Sequence, residues 1–368
     1  MVKAFFRVEM LPALDGDALF VEYGSTRTRR LLIDGGPLGA FPALERRLEQ
    51  LPAGNQSVDL LVVTHVDTDH IEGIIRLMAL PEPRWPVQLG QIWFNGWRHL
   101  ERRDTLGGRE GEFMSALISR RANDRWNTAF GGDAVRCGVL PGDKATLADG
   151  MTLTVLSPTT DGLAALRKKW EKTLQSDKWD IAPGDLEAAW ANLVEESRFH
   201  PDAELTLGPE DLTQELRRLL KGVDGSETNG SSIAFLAEFA GRSCLFLGDA
   251  HMKVICASLK GLGYTRARPL KVDAVKVAHH GSKNNVTQEF LGLVDAKHWL
   301  FSTNGAVHKH PDPEGVEAVI RGTISSPTLW FNYRTPQTER WEAGAAAAGA
   351  RYRAKYPARG KEGIVVRL

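Results

Sequence analysis

Net charge is the first thing this chain of 368 residues lacks: 46 Lys and Arg balance 46 Asp and Glu. No global field draws it onto nucleic acid or an anionic membrane, so any polyanion binding has to be local. Cysteine is scarce as well. Cys137, Cys244 and Cys256 are odd in number, far apart and without a CxxC pair, which fits buried thiols in a reducing cytoplasm. No stretch approaches the roughly 18 consecutive apolar residues of a membrane span. The opening MVKAFFRVEMLPALDGDALFVEYG alternates apolar and polar residues and has no continuous apolar block of the kind a signal peptide needs. The expectation is a cytoplasmic protein with no membrane contact. A GxxxxGK[ST] phosphate loop, an HExxH helix and a GxSxG elbow are all missing, and nothing supports a nucleophilic serine or cysteine.

What is present is a set of short apolar runs punctuated by turns. FFRVE, ALFVEY and RLLID, at 5–9, 18–23 and 30–34, read as an opening antiparallel meander. LERRLEQL (44–51) has a helical pattern. DLLVVTH (59–65) is a β-rich run of the kind buried on both faces, and IEGIIRLMAL continues as a helix that Pro81 stops. After a strand at QIWFNGW (91–97), residues 98–135 turn polar and Arg-rich, and MTLTVLSP (151–158) is again a strand. Residues 161–225 differ: LRKKWEKTL, LEAAWANLVEE and LTQELRRLLK are helical patterns with an acidic excess, which suggests an inserted segment whose Trp170, Trp179 and Trp190 pack between helices. β character returns with SSIAFLAEF, RSCLFLGD, AVKVAHHGS and KHWLFSTNG. A helix at 313–321, a last pair of strands (TLWFNYR and GIVVRL) and a helical EAGAAAAGA (342–350) complete the expected order.

The chemistry concentrates in THVDTDHIEG, 64–73. His65, Asp67, Asp69 and His70 are spaced so that alternate side chains of an extended loop, plus one at a helix start, converge on two points. Two divalent ions would satisfy all four, whereas burying several unpaired carboxylates costs several kcal/mol each. Two more apolar runs end in the same way: LFLGDAH places Asp249 behind a strand, and VKVAHHGS places His279 and His280 behind another. A strand ending in a metal-type residue three times over is the signal.

HxDxDH followed by LGD and HHGS resembles the metallo-β-lactamase fold, and in particular the branch similar to the soluble metallohydrolase domain of ComEC, a DNA-uptake channel protein. GDALFVEYG with LLIDGG resembles the opening GDA and DxG segments of that branch. TNGSSIAFLAEFAGRSCLFLGD resembles its paired strands, and KEGIVVRL its closing strand. STNGAVHKHP (302–311) resembles SxGxxNxYGHP more loosely, with His308 and Lys309 where the family has Tyr and Gly. The resemblance covers roughly residues 1–97 and 225–368. It implies a four-layer αββα sandwich, its halves at 1–160 and 226–368 separated by the helical insertion at 161–225. It also implies that His65 and Asp67 hold one metal and Asp69 and His70 the other, with Asp249 bridging and one of His279 and His280 completing the second site. Asp67 stands where most members have a second His, which moves the preference from zinc alone toward Mn²⁺ or a mixture.

The function so implied is hydrolysis by water activated between two Zn²⁺ or Mn²⁺ ions. Asp69 or Asp67 would orient that water, and His310, placed like the family's GHP histidine, would bind substrate or protonate the leaving group. Ser282 and Asn304 are candidates for substrate hydrogen bonds. The leading expectation is a phosphodiesterase or nuclease acting on DNA or another nucleic acid. A hydrolase of small esters, cyclic nucleotides or lactones, and an effector that binds a protein partner through 161–225, are the alternatives. Asp34 reads equally as a turn residue or a group near the metals, and His251 and His308 read as a helix-start and a solvent-facing histidine. RYRAKYPARGK (351–361), with five basic residues and two tyrosines, is either a nucleic-acid contact or an edge kept soluble by charge.

Overall fold

The computed structural model describes residues 3–100, 109–176, 182–200, 226–346 and 351–368. Trp179 and the expected LTQELRRLLK helix lie outside the described residues. Among the described residues, fourteen strands form two sheets. In the first, β1 (Phe5–Met10), β2 (Leu19–Gly24), β3 (Thr28–Ile33), β4 (Ser57–Val62), β5 (Gln88–Trp93) and β14 (Ile364–Arg367) lie in the order β14-β1-β2-β3-β4-β5. In the second, β6 (Lys144–Thr146), β7 (Thr152–Ser157), β8 (Ala234–Phe239), β9 (Arg242–Phe246), β10 (Leu270–Lys276), β11 (Val294–Phe301), β12 (Thr328–Phe331) and β13 (Arg353–Lys355) run in reverse sequence order from β13 to β6. The opening meander is antiparallel as expected. The last two apolar runs do not pair with each other: β12 joins the second sheet, and β14 crosses to lie antiparallel to β1.

Successive side chains of a strand point to opposite faces, and here both faces are covered. In β4, Leu61 packs outward under helices while Leu60 and Val62 pack inward against the second sheet. That double burial explains the unbroken apolar runs. Between the sheets, Val21, Leu31 and Trp93 meet Phe235, Phe246 and Leu300. Outside the first sheet lie α1 (Phe41–Glu49), α2 (Thr68–Ala79), α3 (Arg109–Arg121), α4 (Thr160–Ser176) and α5 (Leu186–Glu195), sharing one apolar layer. Trp170 of α4 and Leu193 of α5 are part of it, so these two helices of the 161–225 segment are packed into the helical layer. Outside the second sheet lie α6 (Met252–Gly261), α7 (Gln288–Leu293), α8 (Pro313–Gly322) and α9 (Pro336–Ala346). Helix, sheet, sheet, helix is the four-layer αββα order. Among the described residues no helix is long and apolar enough to cross a membrane. The three cysteines are unpaired, and burial pushes the Cys137 and Cys256 thiols up to about 11.

Candidate metal centre

The site follows from strand direction. β9, β10 and β11 are mutually parallel, as are β3 and β4, so their carboxyl ends gather at one edge of each sheet. Immediately past those ends come Asp34, His65, Asp249, the His279–His280 pair and Ser302. Polar groups are tolerated there because the ladder has ended and side chains converge over the gap between sheets, where ligands of open α/β sheets characteristically bind.

Helix α2 is set against this edge by two tight turns. Asp67 precedes it, and the amides of Gly35 and Asp17 donate to the carbonyls of His70 and Asp69 at 2.8 and 3.2 Å. The approach is close enough to exclude side chains. A Cβ on Gly16 would lie 1.7 Å from the Asp69 carbonyl oxygen, and one on Gly73 would lie 2.1 Å from that of Gly35. The first turn of α2 is thereby fixed in position, and with it Asp69 and His70.

Four imidazoles then aim Nε2 at one carboxylate. The Nε2 atoms of His65, His70, His279 and His280 lie 4.0, 3.5, 3.9 and 3.9 Å from the oxygens of Asp249. Asp67 Oδ2 is 3.3 Å from His65 Nε2. Asp69 Oδ2 is 3.2 Å from His280 Nε2 and 3.7 Å from His70 Nε2. Two groups emerge around Asp249: His65 with Asp67, and His70 with Asp69 and His280. His280 is the imidazole that faces Asp69, while His279 approaches Asp249 from the open side. His279 and His280 have φ of 47° and 53°. This left-handed conformation, unfavourable for residues with a Cβ, lets adjacent side chains reach the same centre.

Each ring is aimed from behind. Asp34 accepts from His70 Nδ1–H at 2.8 Å and from the Thr64 hydroxyl at 2.7 Å. Having donated, that hydroxyl accepts from His65 Nδ1–H at 2.9 Å. The Ser302 carbonyl accepts from His280 Nδ1–H at 2.9 Å, and the Asn229 amide lies 3.5 Å from His279 Nδ1. Thr228 donates to Asp67 Oδ2 at 3.0 Å, and Ser232 Oγ accepts from the Asp249 amide at 3.1 Å. Behind His280, Asp17 is salt-bridged to the fully buried Lys276 at 2.5 Å. Hydrogen bonds of this kind fix the tautomer that leaves Nε2 free to ligate.

The electrostatics fit divalent cations. Burial would raise the Asp69 carboxyl, but His70 and His280 beside it hold it down to about 2. Burial would lower His280, but Asp249, Asp17 and Asp69 push it up to about 10. His70 is raised well above its ordinary value against its burial, chiefly by Asp249 and Asp69. The carboxylates thus demand positive charge at this spot. Nε2 of His65, His70 and His280 and Oδ1 of Asp67 and Asp249 are buried with no hydrogen-bond partner among the described residues. Nitrogen and oxygen donors gathered within 4.8 Å of one another, in the sets His65–His70–Asp249 and Asp69–His70–His280, are what a divalent metal ion would satisfy.

A profile of the metallo-beta-lactamase superfamily matches residues 11–90, the segment that carries the HxDxDH run. The four layers are consistent with the sandwich of that superfamily. Solved structures similar to the chain include the metallo-beta-lactamase fold protein YhfI from Bacillus subtilis, at 11% identity and a TM-score of 0.42 over the whole of both chains. A mutant of CmlA beta-hydroxylase is similar at 11% identity and a TM-score of 0.37, over all of this chain and 54% of that one. No curated protein matches the chain.

Around the centre of this four-layer sandwich, His310 packs its ring 5.5 Å from that of His279, and its Nδ1 is 3.2 Å from Asp312 Oδ1. Ser282 is buried just past His280, its amide donating to the His279 carbonyl at 2.9 Å. Asn304 donates its amide to Leu14 O, and its side-chain oxygen accepts from the Ala306 amide at 2.8 Å, so that oxygen is already engaged in its own loop. His251 stands at the N-cap of α6, and His308 stacks 5.9 Å from His310 on the exposed side. Asp34 is fully buried and orients two rings, which decides between the readings its sequence left open. Asp17, Lys276, Thr64 and Thr228 were not singled out from sequence. Only the GDA and TNG segments of the resemblance pointed near Asp17 and Thr228.

Proposed function

We propose that this protein is a dinuclear-metal phosphodiesterase with nucleic acid as its substrate class. The observation that carries the proposal is the convergence of four imidazole Nε2 atoms and the Asp67 and Asp69 carboxylates on Asp249. Divalent ions bound there would supply Lewis acidity and bring the pKa of water toward neutrality. Everything else falls to the chain's own groups. Thr228 engages Asp67, whereas Asp69 keeps more of its carboxylate open and, held at about 2, stays ionised. Asp69 is therefore the group to orient an attacking water. Burial together with the nearby His280 and His279 lowers His310 to about 4 despite Asp312. An unprotonated His310 suits accepting a hydrogen bond from substrate better than protonating a leaving group. The nucleic-acid class is favoured by the ComEC-like motif set HxDxDH, LGD and HHGS.

The test is a panel of labelled oligonucleotides, bis-p-nitrophenyl phosphate, cyclic nucleotides and lactones, run with Mn²⁺ or Zn²⁺ and with chelator, on the parent and Asp249→Ala. Metal-dependent cleavage of oligonucleotides that disappears in the variant is expected. Turnover confined to lactones or small esters would refute the substrate class, and turnover untouched by chelator would refute the mechanism.

A further inference from the structure

Among the described residues, strand β13 is the outermost strand of the eight-stranded sheet and pairs only with β12. It lies within RYRAKYPARGK, residues 351–361, which contains five basic residues and no acid. Tyr352, Ala354 and Tyr356 turn toward the helices and pack in the outer apolar layer. Tyr356 stacks on Phe331 with the Arg334 guanidinium over its ring, Tyr352 packs against Trp341, and the two hydroxyls donate to the carbonyls of Thr338 and Trp341, so both rings are turned into the protein. Side chains alternate along a strand, so Arg353 and Lys355 stand on the opposite face. The register sets Arg353 beside Thr328 and Lys355 beside Trp330. Trp330 is half-buried: one side of it packs against the apolar layer between the sheets, and its indole N–H donates to His298 at 3.1 Å, which holds the ring in place with its remaining surface exposed. Both cations are exposed, as are Arg351, Arg359 and Lys361. The nearby Glu339 and Glu342 are engaged by Arg334.

We propose that this edge is a shelf for single-stranded nucleic acid, with the phosphates on the 351–361 cations and one base on Trp330. The proposal rests on the nucleic-acid reading of the metal centre and adds a second site to it. Blunting an edge strand against aggregation needs a charge or two; it does not need a held tryptophan beside them on the same face. Alternate strand residues recur at about 6.6 Å, a spacing suited to the successive phosphates of an extended single strand. The distribution also answers the neutral whole-chain balance: the polyanion is attracted locally.

Fluorescence anisotropy of a labelled oligothymidylate in chelator reads binding without turnover. The parent should bind at low salt, with affinity falling steeply as salt rises. The triple variant R351S/R353S/K355S should bind more than tenfold more weakly, with a log–log salt slope flatter by about 2, at about 0.7 for each phosphate that is no longer neutralised. W330L should lose roughly tenfold with the slope unchanged. Circular dichroism melts establish that both variants fold, and bis-p-nitrophenyl phosphate turnover should stay at the parental rate. Binding by the triple variant within twofold of the parent overturns the shelf, as does parental binding to phosphatidylserine vesicles in place of the oligonucleotide. Parental oligonucleotide binding without hydrolysis of any diester would instead overturn the hydrolase reading and leave the shelf standing.

Discussion

Replacing Lys276 by Met should destabilise the protein by about 3–5 kcal/mol, the range for removing one partner of a buried ion pair. Lys276 Nζ and Asp17 Oδ2 are 2.5 Å apart, with side-chain exposures of 0% and 2%. At an effective dielectric constant near 20, two unit charges at that distance attract by roughly 7 kcal/mol, which must offset two desolvation penalties. Burial alone would raise the Asp17 carboxyl. Lys276, with help from His280, reverses this and holds it well below the usual carboxylate range. Without Lys276, the buried Asp17 carboxylate keeps only the more distant His280, at 3.5 Å, to compensate it. Adding Asp17→Asn to Lys276→Met should recover about half of the loss or more, because a neutral pair carries no such penalty. The assay is urea denaturation in chelator for the four members of the cycle. Lowering the pH from about 8 to about 5 should shrink the single-mutant penalty as the abandoned carboxyl takes up a proton. A Lys276→Met variant within about 1 kcal/mol of the parent, or a double variant whose losses simply add, would refute the reasoning.

Asp249→Ala should abolish binding of divalent metal, read as metal per protein after dialysis. His280→Ala should remove more metal than His279→Ala, since His280 alone of the pair faces Asp69; equal losses would contradict that assignment. Asp34→Ala should weaken metal affinity by about 10- to 100-fold through loss of ring orientation, and unchanged binding in a calorimetric titration would count against the role given to it. Burial raises the Glu112 carboxyl to about 7 although the Gly184 amide donates to it. A raised carboxyl contributes stability that is complete below about 4.5 and lost as the pH rises through about 7. Glu112→Gln should therefore be more stable than the parent by about 3 kcal/mol near pH 8 and gain almost nothing below about pH 4; a pH-independent shift in melting temperature would contradict this.

Much of the fold was legible because both sheets are covered on both faces, so nearly every strand left an apolar run. The exceptions are short edge strands: β6 spans only Lys144–Thr146, and β13 lies inside a basic stretch whose charges mask its inward Ala354. The order of strands was less visible, since β14 reaching across to β1 joins the two ends of the chain and leaves no local pattern. At the centre, groups that face inward were legible because metal-type residues closing a strand are costly without a purpose. The residues that aim them were not. Asp34, Thr64 and Asp17 are common turn and strand-end types, and only burial and hydrogen bonding distinguish them from ordinary ones. Lys276 closes an apolar strand and has the pattern of a solvent-seeking terminus, whereas its side chain runs inward to Asp17.

On the proposed hydrolase reading, the two consecutive left-handed histidines set stability against activity. A backbone held in that region costs of order 1–3 kcal/mol per residue, and glycine would relieve it. A His279→Gly chain should accordingly be the sturdier protein and the poorer catalyst. Selection for robustness alone would erode this turn, so its persistence in a lineage would report continued demand for the chemistry.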